Sequence, residues 1–225
     1  RKICVVRNGV DADRYGPRPR HADLAAEKGL TDKFVLGYIG THGMAHALNR
    51  VVEAATLLQD DDGIRILFAG AGAARDGLIA QAESAGLGNI VFLPMQPKER
   101  VPDIWSLCDV ALVHLKDDPT FTEVIPSKIF EAMGMGLPIL IAAPSGEATE
   151  IVASEGAGIV VPPEDPQALA DAVRRLRDDD SARGKFAANS IAAAPRYSRE
   201  KQASEMLAVF SAAVEGRPAS EGDRG

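Results

Sequence analysis

The sequence predicts an α/β fold, a parallel sheet with helices on both faces. Two observations carry this. Short apolar runs rich in Val, Ile and Leu recur at residues 34–39, 64–69, 90–93, 109–115, 139–142 and 158–161. Between them lie segments with helical period. Strands alternating with helices at this rhythm form parallel pairs joined by helical crossovers.

The elements follow in chain order. Residues 2–7 (KICVVR) read as a strand ended by Asn8-Gly9, a strong turn signal. Residues 10–20 are polar and proline-rich and form a loop; 21–28 reads as a short helix closed by Gly29. The strand at 34–39 runs into Gly40-Thr41-His42-Gly43. Across 44–58, Ala47, Leu48, Val51, Val52, Ala55 and Leu58 share one helical face. After strand 64–69 come Gly70-Ala71-Gly72 and a helix to about Ser84. A short strand at 90–93 precedes a helix at 98–107 that holds the only tryptophan, Trp105. Strand 109–115 leads through the loop 116–124 into the helix opening at Pro126. Strands 139–142 and 158–161 flank a helix near 148–154. Helices at 166–177 and 181–192 and an amphipathic helix at 198–214 complete the chain, and the polar residues from Glu215 on read as a disordered tail.

At 225 residues the chain is one large α/β domain or two small ones. A net charge of −7 argues against a general nucleic-acid surface. Cys4 and Cys108 sit in apolar runs, as buried hydrophobes do, and point to neither a disulfide scaffold nor a metal site. That usage fits a reducing cytosol. No apolar run approaches the roughly 20 residues that span a bilayer, and no signal peptide is visible. The first residue is Arg1, already at the edge of the 2–7 run, so the chain is expected to begin inside a longer protein.

In a parallel sheet of this kind ligands bind outside the carboxyl ends of the strands. That rule selects the loops 40–46, 70–76, 94–98, 115–126 and 143–147. On the fourth lies Glu123-Val124-Ile125-Pro126-Ser127-Lys128-Ile129-Phe130-Glu131, running into a glycine stop at Gly136 and the strand at 139–142. Pro126 suits a first helical turn, and Gly136 with Pro138 marks a helix end. Ile125, Ile129 and Met133 give the packing face. Ser127, Lys128, the free N–H groups of the first turn and two carboxylates remain for chemistry. A helix N-terminus beside a lysine attracts phosphate, and carboxylates accept hydrogen bonds from sugar hydroxyls. The stretch reads as the seat of a nucleotide sugar.

Each feature has a plainer reading. Glu131 is also placed to be a solvated helix-face carboxylate, and Lys128 a solvated surface lysine. Gly37, Gly40 and Gly43 either admit a ligand to the backbone or make a tight strand-to-helix turn. Gly70-Ala71-Gly72 lacks the third glycine of a dinucleotide loop, Arg75 standing there instead. His42 and His46 lack the intervening Glu and the third ligand of a metal site, so no metal is expected, and each reads as a loop histidine bonding a ligand or the backbone. His114 reads as a strand-end histidine and Trp105 as core packing.

Asn8-Gly9-Val10-Asp11, the glycine loop at 40–46, Gly70-x-Gly72, and Glu123 and Glu131 followed by AMGMGLPIL together resemble the C-terminal domain of a family 4 retaining glycosyltransferase. The likeness runs from Arg1 to about Val214. The PSKIFEAM segment is similar to a bacterial surface-polysaccharide branch that includes fucosamine transferases. The resemblance implies one half of a GT-B fold, two facing Rossmann-like domains with the substrate cleft between them. Residues 1–197 would be the donor-binding domain, 198–214 a helix crossing back to the other domain, and 215–225 a disordered tail. It implies that Glu131 holds the ribose hydroxyls and Glu123 lies near the donor sugar. Val124, Ile125, Pro126 and Ser127 with Gly40, Thr41, His42 and Gly43 would meet the diphosphate and sugar, beside Gly70. Met95 and Gln96 would meet the base.

Many members of that family carry an Arg–Lys pair after the first of these strands. Here Thr41 and His46 stand in that region, leaving charge neutralisation to Lys128 with His46. The implied reaction is transfer from a UDP-sugar to an acceptor hydroxyl with retention, with no cofactor and no metal required. The acceptor, a saccharide or a lipid-linked one, would be held by an N-terminal domain that is not in this sequence. The expected setting is cytoplasmic, at the inner face of a membrane with which the full-length enzyme associates peripherally. The rival readings are a nucleotide-sugar epimerase, a nicotinamide-dependent dehydrogenase and a non-catalytic nucleotide-binding module.

Overall fold

The computed structural model describes residues 4–215. Six strands form one sheet, all neighbouring pairs parallel: β1 (Phe34–Ile39), β2 (Ile64–Ala69), β3 (Ile90–Leu93), β4 (Val110–His114), β5 (Ile139–Ala142) and β6 (Gly158–Val161). Their spatial order is β3-β2-β1-β4-β5-β6. The chain therefore steps outward from β1 to β3, then returns to the other side of β1 for β4. Where the order reverses, the carboxyl ends of β1 and β4 open a crevice, the usual ligand position in such sheets.

Helices cover both faces, as the alternating pattern predicts. On one face lie α2 (Leu48–Leu57), α3 (Arg75–Ser84) and α7 (Pro166–Asp178), which bury Val51, Val52, Leu78, Leu169 and Val173. On the other lie α1 (Ala22–Glu27), α4 (Val101–Trp105), α5 (Lys128–Met135) and α6 (Glu147–Ser154), with Trp105, Ile129, Phe130, Met133 and Val152 in the core. Next come α8 (Asp180–Ala193), a 3₁₀ turn at Ala194–Tyr197 and α9 (Arg199–Val214). No residue of α9 is buried; Leu207 and Phe210 are 66 % and 60 % exposed. No helix among the described residues is long and apolar enough to cross a membrane.

Several sequence expectations are corrected. Residues 4–7 of the 2–7 run are not a strand, and residues 2 and 3 lie outside the described residues. The segment is held by side chains instead: Arg7 pairs with Glu147 of α6, and the Gly9 N–H donates to Gln202 of α9. Residues 4–7 pair with no strand of the sheet, and strand composition alone supplies no partner. The 44–58 helix is broken, with a 3₁₀ turn at Met44–His46 and Ala47 in the left-handed region (φ 42°) before α2 begins. The 98–107 helix shrinks to Val101–Trp105, with Pro102 in its first turn. Strand 109–115 shortens to Val110–His114, losing Leu115 and Asp109, whose carboxylate accepts from the Val35 N–H and from Arg20. The helix expected from Pro126 starts at Lys128, with Ser127 as its N-cap. Glu215 ends α9, and the rest of the predicted tail, 216–225, lies outside the described residues.

Candidate functional site

The loop after β1 forms one wall of the crevice. The Gly40 N–H donates to the Ala69 carbonyl (2.9 Å), the His42 N–H to the Ala71 carbonyl (2.8 Å), and the Ala74 N–H to the His42 carbonyl (2.9 Å). The two loops are thus laced by main-chain bonds. A Cβ on Gly70 would collide with the Gly40 carbonyl oxygen, and one on Gly72 with the His42 backbone. Both glycines also have φ near +150°, which side chains rarely adopt (+148° and +152°). What requires glycine at 70 and 72 is this crossing of two backbones, not a ligand. Gly37 is likewise no ligand approach: a Cβ there would strike the Cys108 sulfur.

Beneath the loop lies a buried group of aromatic and basic side chains. The His42 ring is fully buried, 5.9 Å from Tyr38 and 5.8 Å from Phe68 between ring centroids, and neither nitrogen has a hydrogen-bond partner. Burial, then Arg75, Lys128 and His46, push its pKa down to about 4. It is neutral at pH 7. This corrects the expectation that the His42 ring bonds ligand or backbone; only its main chain does.

His46 and His114 clasp each other across the crevice floor. Nδ1 of His46 lies 3.2 Å from the His114 carbonyl, and Nδ1 of His114 lies 2.8 Å from the His46 carbonyl. A carbonyl only accepts, so each Nδ1 carries the proton, and each neutral ring has Nε2 as an acceptor. Burial lowers both pKa values, His114 to about 4. Without a ligand His46 is therefore a neutral acceptor at pH 7. Its Nδ1 is committed to the His114 carbonyl, which leaves Nε2 as the atom free for a ligand.

Arg75 lies close enough to act on His42, and Lys128 is the buried cation of the crevice. It is 8 % exposed, its Nζ sits 3.6 Å over the centroid of the Tyr38 ring, and it makes no ion pair with a described residue. Gly40 lies against it, a Cβ there falling 3.4 Å from Nζ, and its φ of +138° is what requires glycine. Burial lowers its pKa to about 7, against the pull of Glu131. The solvated-lysine reading is excluded. Tyr38, which sequence reasoning passed over, supports Lys128 with its ring and donates its hydroxyl to the Thr41 carbonyl (2.8 Å).

Glu131 lies one helical turn after Lys128. Its Oε2 accepts from the indole Nε1 of Trp105 at 3.2 Å. Burial raises its pKa, while the Trp105 hydrogen bond and the charge of Lys128 pull it down. Trp105 is core, as expected, but it is also bonded to a site carboxylate. At the start of α5 the Ile129 and Phe130 N–H groups already donate to the Pro126 and Ser127 carbonyls (3.1 and 3.0 Å). Of the first-turn N–H groups, then, only those of Ser127 and Lys128 have no backbone partner among the described residues.

The structure brings Gly40, Thr41, His42, Gly43, His46, Gly70, Lys128 and Glu131 to one end of the sheet. Glu123 and Val124 are exposed on the 115–127 loop, Ile125 packs on the core, and Pro126 is half-buried. Met95 is exposed and Gln96 bonds its own loop at the Pro94 carbonyl (3.0 Å). Glu123, Val124, Met95 and Gln96 touch neither Lys128 nor Glu131 through a hydrogen bond or ion pair.

Comparisons with known proteins agree with this fold. A family model described as glycosyl transferases group 1 matches residues 22–193. The chain is similar to D-inositol 3-phosphate glycosyltransferases: 31% identical over 224 residues to that of Nocardia farcinica (95% of this chain, 48% of the relative), and 28% identical over 221 residues to that of Corynebacterium urealyticum (93% and 51%). It spans about half the length of the curated relatives it matches. Among solved structures, HepE of Anabaena superposes with a TM-score of 0.81 at 22% identity, over 92% of this chain and 57% of that one, in complexes with UDP and with UDP-glucose. At that identity the likeness is one of fold, the Rossmann-like α/β half of a GT-B protein.

Proposed function

The chain belongs to the group 1 glycosyltransferases, and on that premise we propose that it is the donor-binding half of an enzyme that transfers sugar from a UDP-sugar to an acceptor hydroxyl with retention, in bacterial surface polysaccharide or glycolipid synthesis. One observation carries the reading: a buried, unpaired ammonium, that of Lys128, beside a glycine loop at the sheet's switch point, with the carboxylate of Glu131 one turn beyond. A diphosphate against Lys128 supplies the counter-charge that no described carboxylate supplies at ion-pair distance. The Ser127 and Lys128 N–H groups extend that seat at the positive end of α5. As the bond from the sugar C1 to the β-phosphate oxygen breaks, the negative charge grows next to Lys128, in a site where a fixed cation acts most strongly. The acceptor oxygen bonds to C1 on the face that the leaving group quits, its proton passes to the departing phosphate, and UDP is released.

Glu131 then holds the ribose hydroxyls, and Glu123 closes on the donor sugar from the exposed loop. The acceptor, a saccharide or a lipid-linked hydroxyl, is held by an N-terminal domain, at the inner face of a membrane. UDP is the first probe because HepE was crystallised with UDP and UDP-glucose. Calorimetry of this chain with UDP tests the reading. Glu131→Ala is expected to weaken binding roughly 10- to 100-fold, the scale of hydrogen bonds to a charged group. Equal affinity in both proteins would sink the ribose assignment. Conversion of a UDP-sugar without any acceptor would favour an epimerase instead.

A further inference from the structure

The hydrogen bond between Trp105 and Glu131 has two explanations. In the plain one, a buried indole merely satisfies its N–H with the nearest acceptor. In the other, the indole sets the carboxylate for a ligand. Three features favour the second. The ring is fully buried among residues of α4, α5 and the sheet, so its N–H is a rigid donor. It engages Oε2 alone; Oε1 accepts from no described residue and is not sealed in the core. A glutamate side chain has three torsions to lose, and a carboxylate held at one oxygen presents the other at less entropic cost. The same short helix also follows the 94–100 loop that carries Met95 and Gln96. One rigid side chain therefore couples the loop leading into α4 to the carboxylate on α5.

Resting on the glycosyltransferase reading above, we infer that Trp105 is a positioning residue for the donor: it orients Glu131 so that Oε1 receives the ribose hydroxyls of a nucleoside diphosphate, making Trp105 a determinant of ribose recognition.

The test is a thermodynamic cycle between the indole N–H and the ribose hydroxyls. Affinities for UDP and for 2′,3′-dideoxy-UDP are measured on the wild-type chain and on Trp105→Phe. The wild type is expected to bind UDP about tenfold more tightly than the dideoxy analogue. In Trp105→Phe, UDP is expected to fall to the level of the analogue, while the analogue itself is unchanged. A role in packing alone weakens both ligands equally or neither, and an unchanged ratio overturns the inference while leaving the function standing. Equal wild-type affinity for the two ligands does the same. Binding of neither overturns both readings.

Should Trp105→Phe not fold, the chain offers a closer isostere. Trp105 is its only tryptophan. Global replacement with β-(3-benzothienyl)alanine therefore exchanges that single N–H for sulfur and keeps the ring volume. The same collapse of the UDP to dideoxy-UDP ratio is expected, and an intact ratio refutes the role of the N–H.

Discussion

Lys128→Met is the most informative single change, because stability and binding should move in opposite directions. The ammonium is buried, and its pKa falls from 10.5 to about 7. The unfolded chain keeps this proton up to about pH 10.5, whereas the folded chain releases it near pH 7, so between those values the unfolded state binds more protons. Stability therefore rises with pH across that window, and the full deficit is present below pH 7. At about 1.4 kcal/mol per pH unit the interval corresponds to about 5 kcal/mol. Loss of the cation–π contact with Tyr38 takes back about 1 kcal/mol. Methionine keeps the chain length without the charge, so the variant is expected to be about 4 kcal/mol more stable at pH 6, roughly a 10 °C rise in melting temperature for a domain of this size. The advantage should shrink steadily toward pH 10. Urea titrations of both proteins between pH 6 and 10 measure it, and taking the difference cancels groups common to the two chains. A difference that does not change between pH 7 and 10, or a less stable variant at pH 6, refutes the burial argument. The same variant should lose most of its affinity for UDP. Wild-type affinity should itself weaken about tenfold per pH unit above 7, as binding must first protonate the amine.

The other predictions concern the frame around that lysine. Gly70→Ala should destabilise by more than about 2 kcal/mol in chemical denaturation, because its Cβ meets the Gly40 carbonyl at a φ side chains avoid. Gly77→Ala, in the first turn of α3 with open space around it, should instead stabilise by up to about 1 kcal/mol. His42, with an ordinary pKa of 6.5 in the unfolded chain and about 4 when folded, should cost up to about 3 kcal/mol as pH falls from 6.5 to 4. His42→Leu should remove its share of that acid limb in unfolding curves at pH 6.5 and 4.5, leaving the share of His114; an unchanged limb would place the loss elsewhere.

The strands at Phe34–Ile39, Ile64–Ala69, Ile90–Leu93, Ile139–Ala142 and Gly158–Val161 fall where the apolar runs predict them: the inner strands are buried between helices, and the edge strands Ile90–Leu93 and Gly158–Val161 are partly covered. Gly136 ends α5 in the left-handed conformation (φ 71°), as a glycine before Leu-Pro should. At residues 4–7 the run misleads because β-branched composition reports a taste for a pleated surface, not a strand in position to pair. Within the site, the sequence identifies the loops but not the depth of their side chains. Nothing local distinguishes Lys128 on a wet surface from Lys128 lying over Tyr38, since that contact joins residues 90 positions apart. The same holds for Trp105 and Glu131: residue type says that the indole needs an acceptor, and only the packing of α4 against α5 says which one.

The electrostatics of the crevice bear on the absence here of the Arg–Lys pair that the family resemblance leads one to expect. His42, His46 and His114 crowd the space beside Lys128, yet their own burial keeps them neutral at pH 7. Two further cations beside a buried ammonium would lower its pKa still more and leave it uncharged when a diphosphate arrives. Neutral imidazoles pack against the aromatic floor, tie the β1 and β4 loops through main-chain carbonyls, and add no repulsion. A single lysine with a pKa near neutrality is therefore balanced: costly enough to favour an incoming anion, and still protonated in about half the molecules at pH 7. In such a site replacing His46 by lysine should not restore the family's basic pair. It should drive Lys128 toward the neutral form, so that His46→Lys weakens UDP binding at pH 8 more than at pH 6, whereas a cooperating pair would strengthen it at both.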